Sequence, residues 1–294
     1  MTIGGQAVLE GVMLRSKTHQ SLAVRVSDGS IHREVTRLRP LSSRSRFFRL
    51  PLVRGVVALI DSLSGAVGCL GRSAQLLEPE AEISNRDLAI TVILALTLGI
   101  GLFFVVPILL AAPAANWLGL NRLGINFLEG LVRISLFLAY IVLISRARDI
   151  QRTFEYHGAE HKVIHCWEKG QDLTVEHAQA CSRLHPRCGT SFLLLVVLIS
   201  ILVFAVFSPT ALGYKVLLRL LLLPLVAGLA FEVIRLSQRS NFFLVRALTA
   251  PGLMMQRLTT REPDATQVEV ALAALETVID PESVGRYNKP DTIE

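Results

Sequence analysis

Charge is scarce in this chain. Asp, Glu, Lys and Arg make up 18% of its 294 residues, whereas a soluble domain usually carries about a quarter. Hydrophobic residues reach 51% and mean hydropathy is +0.49, more apolar surface than a soluble globule of this size can hide. The amino terminus, MTIGGQAVLEGVMLR, lacks a basic stretch followed by a long apolar core, so no cleavable signal is expected. No internal repeat stands out, which gives no support to an inverted-repeat transporter. No nucleic-acid recognition motif accompanies the net charge of +6 and pI near 9.5. The bases flank apolar runs, where attraction to anionic lipid and control of topology explain them, and no nucleic-acid partner is expected. Cysteine is limited to Cys69, Cys166, Cys181 and Cys188; facing the cytosol, these are thiols or metal ligands rather than disulfides.

What the chain has instead is long apolar runs. Four read as membrane spans: Leu88 to Ala112, Phe127 to Ser145, Thr190 to Phe207 and Val216 to Leu236, each long enough to cross about 30 Å of hydrocarbon. The run from Leu50 to Leu70 carries Arg54 and Asp61. It reads as an interfacial or re-entrant helix rather than a fifth span, because Asp61 would sit near mid-bilayer. Lys and Arg number twelve in residues 1–87, one in the connection 113–126, seven in 146–189 and seven from 235 onward. That alternation predicts a multi-pass protein of the bacterial inner membrane with both termini and the 146–189 loop in the cytosol. The bilayer is the expected partner, and self-association is compatible with the sequence. Within the spans, Glu129 and Arg133 at i,i+4 spacing are expected to pair, and Glu232 reads as paired with Arg235 or as a further carboxylate near the metal loop.

The division that follows is 1–49, a cytosolic segment; 50–87, the interfacial helix and linker; 88–145, two spans; 146–189, a cytosolic loop; 190–236, two more spans; and 237–294, a cytosolic tail. Within the first, Ser21 to Ser27 and Ser30 to Thr36 flank Asp28-Gly29, which favours a two-residue type I′ hairpin. In the tail, Asp264 and Gln267 make a capping box before an apolar face of Val268, Leu272, Leu275 and Ile279.

The chemistry concentrates in the 146–189 loop, which holds five of the seven histidines. His157-Gly158-Ala159-Glu160-His161 fits the H-x-x-E-H pattern. On a helix His157 and His161 share a face, so both imidazoles can reach one ion, and Glu160 sits one turn from His157, where it can polarise a water. His165 extends that face as a further donor or as an exposed neighbour, and Gly170 is placed to end the helix. His185 and Cys188 form a second half-site across a two-residue gap, with Arg187 between them as a candidate for an anionic group or oxyanion. Two His from a helix with His and Cys from a turn give the N/S tetrahedron that zinc prefers, although another divalent metal fits the same pattern. Cys166, Cys181 and His177 read as packing or surface residues. Cys188 lies immediately before a span, so His157 is expected to reach it through a bend of the chain between Arg146 and Phe154, with a longer loop before Thr190 as the alternative.

GGQAVLEGVMLR, FEYHGAEHKVIHC, SRLHPRCGTSF and PGLMMQRLTTREPDATQVEVALAAL together resemble the YqhQ-like family of bacterial membrane proteins. The resemblance runs through nearly the whole chain, with Leu14 standing where the family more often has Met. The family is of unknown function and is sometimes labelled a predicted metal-dependent enzyme. The resemblance also draws attention to Gly4-Gly5-Gln6 and Glu10-Gly11, either as a loop closing over a substrate and donating Glu10 or as turn glycines beside a surface carboxylate.

The expected fold is mostly helical: a polytopic membrane protein with about four transmembrane helices, a small amino-terminal β-hairpin and a cytosolic metal-binding loop. The expected activity is that of a zinc-dependent hydrolase at the inner leaflet. Its ligands come from His157, His161, His185 and Cys188, with Glu160 as general base. A scaffold or regulator with a structural zinc, and a lipid or solute transport protein, are the alternatives.

Overall fold

The computed structural model describes residues 3–80, 84–186, 188–207, 211–237 and 243–281. The chain opens with four antiparallel strands in sequential order: β1 (Gly4–Val8), β2 (Gly11–Arg15), β3 (His19–Arg25) and β4 (Ile31–Arg37). Sequence reading finds only the β3–β4 hairpin. Its turn is also different, because Gly29 alone takes a positive φ of 85° and Val26 bonds Ser30 across the loop. A type I′ turn needs positive φ at both central residues; here a longer loop closes on Asp28, whose carboxylate accepts from Ser30 N at 2.8 Å.

Alternation along the strands sorts side chains to two faces. Val12, Leu14 and Ala23 point to one core with α5 (Arg148–Glu168) and α10 (Ala265–Ile279). Val8, Met13, Leu22 and Val24 point to the other, against Cys69 of α1 (Val53–Leu77). The sheet is thus the middle layer between helices. The tail helix α10 starts at the expected capping box of Asp264 and Gln267 and buries Val268, Leu272 and Leu275. Only Ile279 of the anticipated apolar face is exposed.

The remaining helices are α2 (Asn85–Ile100), a π-helical turn at Gly101–Val105, α3 (Val106–Trp117), α4 (Arg122–Ile144), the short α6 (Val175–Ala180), α7 (Gly189–Val206), α8 (Leu212–Ser237) and α9 (Phe243–Thr259). Five helices among the described residues are long and apolar enough to cross a membrane: Val53–Leu77, Arg86–Trp117, Arg122–Ile144, Gly189–Val206 and Leu212–Leu236. They mark the chain as a membrane protein. The first is the segment expected to be interfacial or re-entrant; it forms one uninterrupted helix.

Both intramembrane ion pairs differ from expectation. Glu129 does not pair with Arg133 but accepts from Lys215 and Arg219 of α8. Glu232 pairs with Arg54 of α1, whose Nε lies 2.7 Å from Oε1, instead of with Arg235. In both cases a partner on another helix displaces the neighbour on the same helix. Tertiary packing aims side chains that sequence spacing alone leaves free.

Candidate metal centre

Between Ile144 and Arg148 the chain leaves helical geometry; Ala147 is extended, with φ −70° and ψ 134°. This break separates α4 from α5, and His157 of α5 reaches Cys188 at the start of α7. It comes at the near edge of the expected window, with no glycine or proline needed. The helix ends as anticipated: Lys169 is its C-cap and Gly170 takes φ 66°, the left-handed position glycine fills without strain.

Along α5, His157, His161 and His165 line one face, and each is fixed by a backbone carbonyl. His157 Nδ1 donates to Thr259 O at 2.8 Å, His161 Nδ1 to Arg183 O at 2.5 Å, and His165 Nδ1 to Ser182 O at 2.7 Å. A carbonyl can only accept, so in the neutral ring each proton sits on Nδ1 and each Nε2 is a bare lone pair. This is the arrangement metal-ligating histidines adopt. The Nε2 of His161 is fully buried and has no hydrogen-bond partner among the described residues.

Cys188 closes the group. It caps the amino terminus of α7, where its Sγ accepts from Thr190 N at 3.4 Å, and it stands 3.2 Å from His157 Nε2. Candidate ligand atoms of His157, His161 and Cys188 all lie within 4.8 Å of one another, a spread compatible with bonds of about 2.0–2.3 Å from one tetrahedral zinc. The donor set and the orphaned His161 nitrogen therefore fit such an ion.

Among the described residues, His185 stands beside this group of three rather than within its 4.8 Å spread. Its ring centroid is 5.7 Å from that of His161 and 4.6 Å from that of His165, and its Nε2 faces Glu168 at 3.3 Å. Burial pushes its pKa down to about 4 against the opposing pull of Glu168. Arg187 lies outside the described residues.

Glu160 is 4% exposed and makes no hydrogen bond or ion pair among the described residues. Burial raises its carboxyl to about 7, and His157 pulls in the other direction. Strand β1 lies against it: a Cβ on Gly5 would come within 2.9 Å of Glu160 Cδ and 2.7 Å of Met13 O. Gly5 is thus a site of close approach beside Glu160. Glu10 is drawn elsewhere, with Oε2 accepting from Arg152 Nη2 at 2.6 Å and from the Tyr156 hydroxyl at 3.2 Å. It belongs to the turn that locks β1–β2 onto α5.

Several supporting residues escape sequence reading because their contacts are long-range. Gln256 of α9 is completely buried. It accepts from His185 N at 2.8 Å and donates to His185 O at 2.8 Å and to Ser191 Oγ at 2.9 Å. Thr259 supplies the carbonyl for His157, and Arg183 the one for His161. The connection 260–264 between α9 and α10 then passes over α5, where Arg261 N bonds Phe154 O at 2.9 Å. Gly158 has the Arg261 carbonyl where a Cβ would stand. The sequence signal for these residues was the family resemblance, whose blocks FEYHGAEHKVIHC, SRLHPRCGTSF and PGLMMQRLTTREPDATQVEVALAAL contain them.

The family described as "Protein of unknown function (DUF1385)" matches residues 50–281. The chain belongs to this family. It is also 34% identical, over 302 residues, to "Uncharacterized protein YqhQ" of Bacillus subtilis (strain 168), an alignment covering 97% of this chain and 95% of that protein. No solved structure matches. All the residues placed at the site, except Gly5, lie within the matched DUF1385 region.

Proposed function

We propose that the chain is a multi-pass protein of the bacterial inner membrane in which His157, His161 and Cys188 hold a zinc ion, and that it is a zinc-dependent hydrolase with Glu160 as general base. The observation that carries this reading is the buried, unpartnered Nε2 of His161. Buried polar atoms almost always have a partner, and this one faces a second bare imidazole nitrogen and a thiol. One sulfur and two imidazoles suit zinc better than a hard cation such as magnesium. Three protein ligands leave the fourth tetrahedral position free, as catalytic zinc sites do and closed structural sites do not. When bound, the ion supplies Lewis-acid activation of a hydrolytic water.

The chain's own residues supply the rest. The Thr259 and Arg183 carbonyls hold both imidazoles in the ligating tautomer. Glu160, with its carboxyl raised to about 7, exchanges a proton readily near neutral pH. Gly5 beside it keeps the backbone of β1 close and limits access of bulk water. Cys188 caps a candidate span, which favours substrates reached from the inner leaflet: lipids, lipid-linked intermediates or membrane peptides.

Topology follows the Lys and Arg alternation, which favours the 146–189 loop and both termini on the cytosolic side. Helix α1 then lies along the inner face. Its start is held by Glu232 near the end of α8, and Asp61 accepts from Leu41 N at 3.0 Å while its carbonyl accepts from Arg15 at 2.9 Å. Farther along, Cys69 packs on the sheet.

The discriminating experiment is Glu160→Gln, with metal content and cellular function measured together. Retained metal with lost function is the expected result. Retained metal with full function would point instead to a structural zinc in a scaffold, a reading that requires a fourth protein donor such as His185 to move from Glu168 to the ion.

A further inference from the structure

A second buried polar cluster lies within the spanning helices. Glu129 and Arg133 come from α4, Lys215 and Arg219 from α8, and none is more than 7% exposed. Glu129 accepts from Lys215 with one oxygen and from Arg219 with the other. Arg133 has no carboxylate partner among the described residues; its Nε donates to Phe103 O at 2.8 Å. That carbonyl belongs to the π-helical turn at Gly101–Val105, an irregularity frequent at functional sites. The guanidinium carbons of Arg133 and Arg219 each lie 5.3 Å from the Phe204 ring centroid, and that of Arg133 is 5.8 Å from Phe104.

Three cations therefore face one carboxylate, an excess of two positive charges inside a largely apolar bundle. Charged groups buried in spanning helices are normally paired or functional. Here Arg133 Nη2 and Arg219 Nε and Nη1 are buried with no hydrogen-bond partner among the described residues. Cation–π contact with Phe204 accounts for the planes of the guanidiniums but not for their free N–H edges. The place is also remote from the His/Cys group: Phe204 is sixteen residues beyond Cys188 along α7, about 24 Å at 1.5 Å per residue. It cannot serve the metal centre directly, and its role does not rest on the hydrolase reading.

We infer that Arg133, Lys215 and Arg219 form an intramembrane binding site for a phosphate-type oxyanion. Planar guanidinium edges match the paired oxygens of such a group, and a doubly charged phosphate neutralises the excess of two charges. A halide would neutralise charge but offers no set of oxygens for separate N–H forks. Glu129 offsets one of the three charges through Lys215 and Arg219 and leaves their remaining donors to the ligand.

The test uses full-length protein purified in phosphate-free detergent buffer. One arm measures bound phosphorus per chain and identifies co-purified lipid by mass spectrometry; the other titrates inorganic phosphate and sulfate while following thermal unfolding. About one retained phospholipid phosphate per chain identifies a lipid headgroup as the source, whereas stabilisation of delipidated protein by inorganic phosphate identifies a free anion. Either result should weaken by about tenfold or more in affinity or occupancy in Arg133→Gln and Arg219→Gln, because each removes a charged fork. Glu129→Gln, which raises the excess charge, should bind phosphate at least as tightly as the parent. If the arginine variants fail to fold, the wild-type measurements and Glu129→Gln decide the matter. Wild-type protein that retains no phosphorus and is unmoved by phosphate and sulfate overturns the inference, as does an undiminished response in both folded arginine variants.

Discussion

At the scale of single residues, Glu160 and Gly158 lead to different measurements. An acid raised from 4.5 to about 7 in the folded chain gives up its proton in the unfolded chain first as pH climbs. The folded state therefore binds more protons between those values, and the stability it derives from the neutral carboxyl is lost as pH rises through that window. Thermal unfolding of chelator-treated protein should show this loss, and Glu160→Gln, which stays neutral, should flatten it. An identical pH profile in both proteins would remove burial of Glu160 from the account. Gly158→Ala drives a methyl group into the Arg261 carbonyl. We expect a loss of about 1–3 kcal/mol, seen as faster proteolysis near residues 260–264. The H-x-x-E-H and H-x-x-C spacings were legible because helical periodicity and a short turn are local properties. The setting of His185 was not legible, because which side of a turn a residue faces depends on what packs against it, here Gln256 from seventy-one residues away.

Among the elements, α10 and the β3–β4 hairpin were readable, since a capping box and alternating strands are local signals. β1 and β2 were not: GGQAV and GVMLR are short and glycine-rich, and their partners are set by the sheet and the helices around it. The bend before α5 was required by Cys188 lying next to α7, though nothing in residues 145–147 announces it. Asp264 offers a direct check on the carboxy-terminal packing. Removing its cap with Asp264→Ala should cost about 1 kcal/mol and speed amide exchange along α10. Because α10 packs on both β3 and α5, exchange should also rise around His157 to His165. Faster exchange confined to the first turn of α10 would mean that the helix does not brace α5.

For the whole molecule, the apolar runs made the membrane assignment legible, while the function of α1 was not, because composition alone cannot separate a span from a helix lying on an interface. The proposed topology expects a single cysteine at position 170 to be protected from external thiol reagents and one at position 120 to be labelled, in a background lacking native thiols; external labelling at 170 would invert the arrangement. The central claim is that His157, His161 and Cys188 hold one ion. Its most direct measurement is the zinc content of purified full-length protein beside His161→Ala and Cys188→Ser. The account predicts about one zinc per chain in the parent and a severe loss in each variant with the helical fold retained. Equal zinc in all three proteins, or none in the parent after purification without chelator and with zinc supplied, would contradict it.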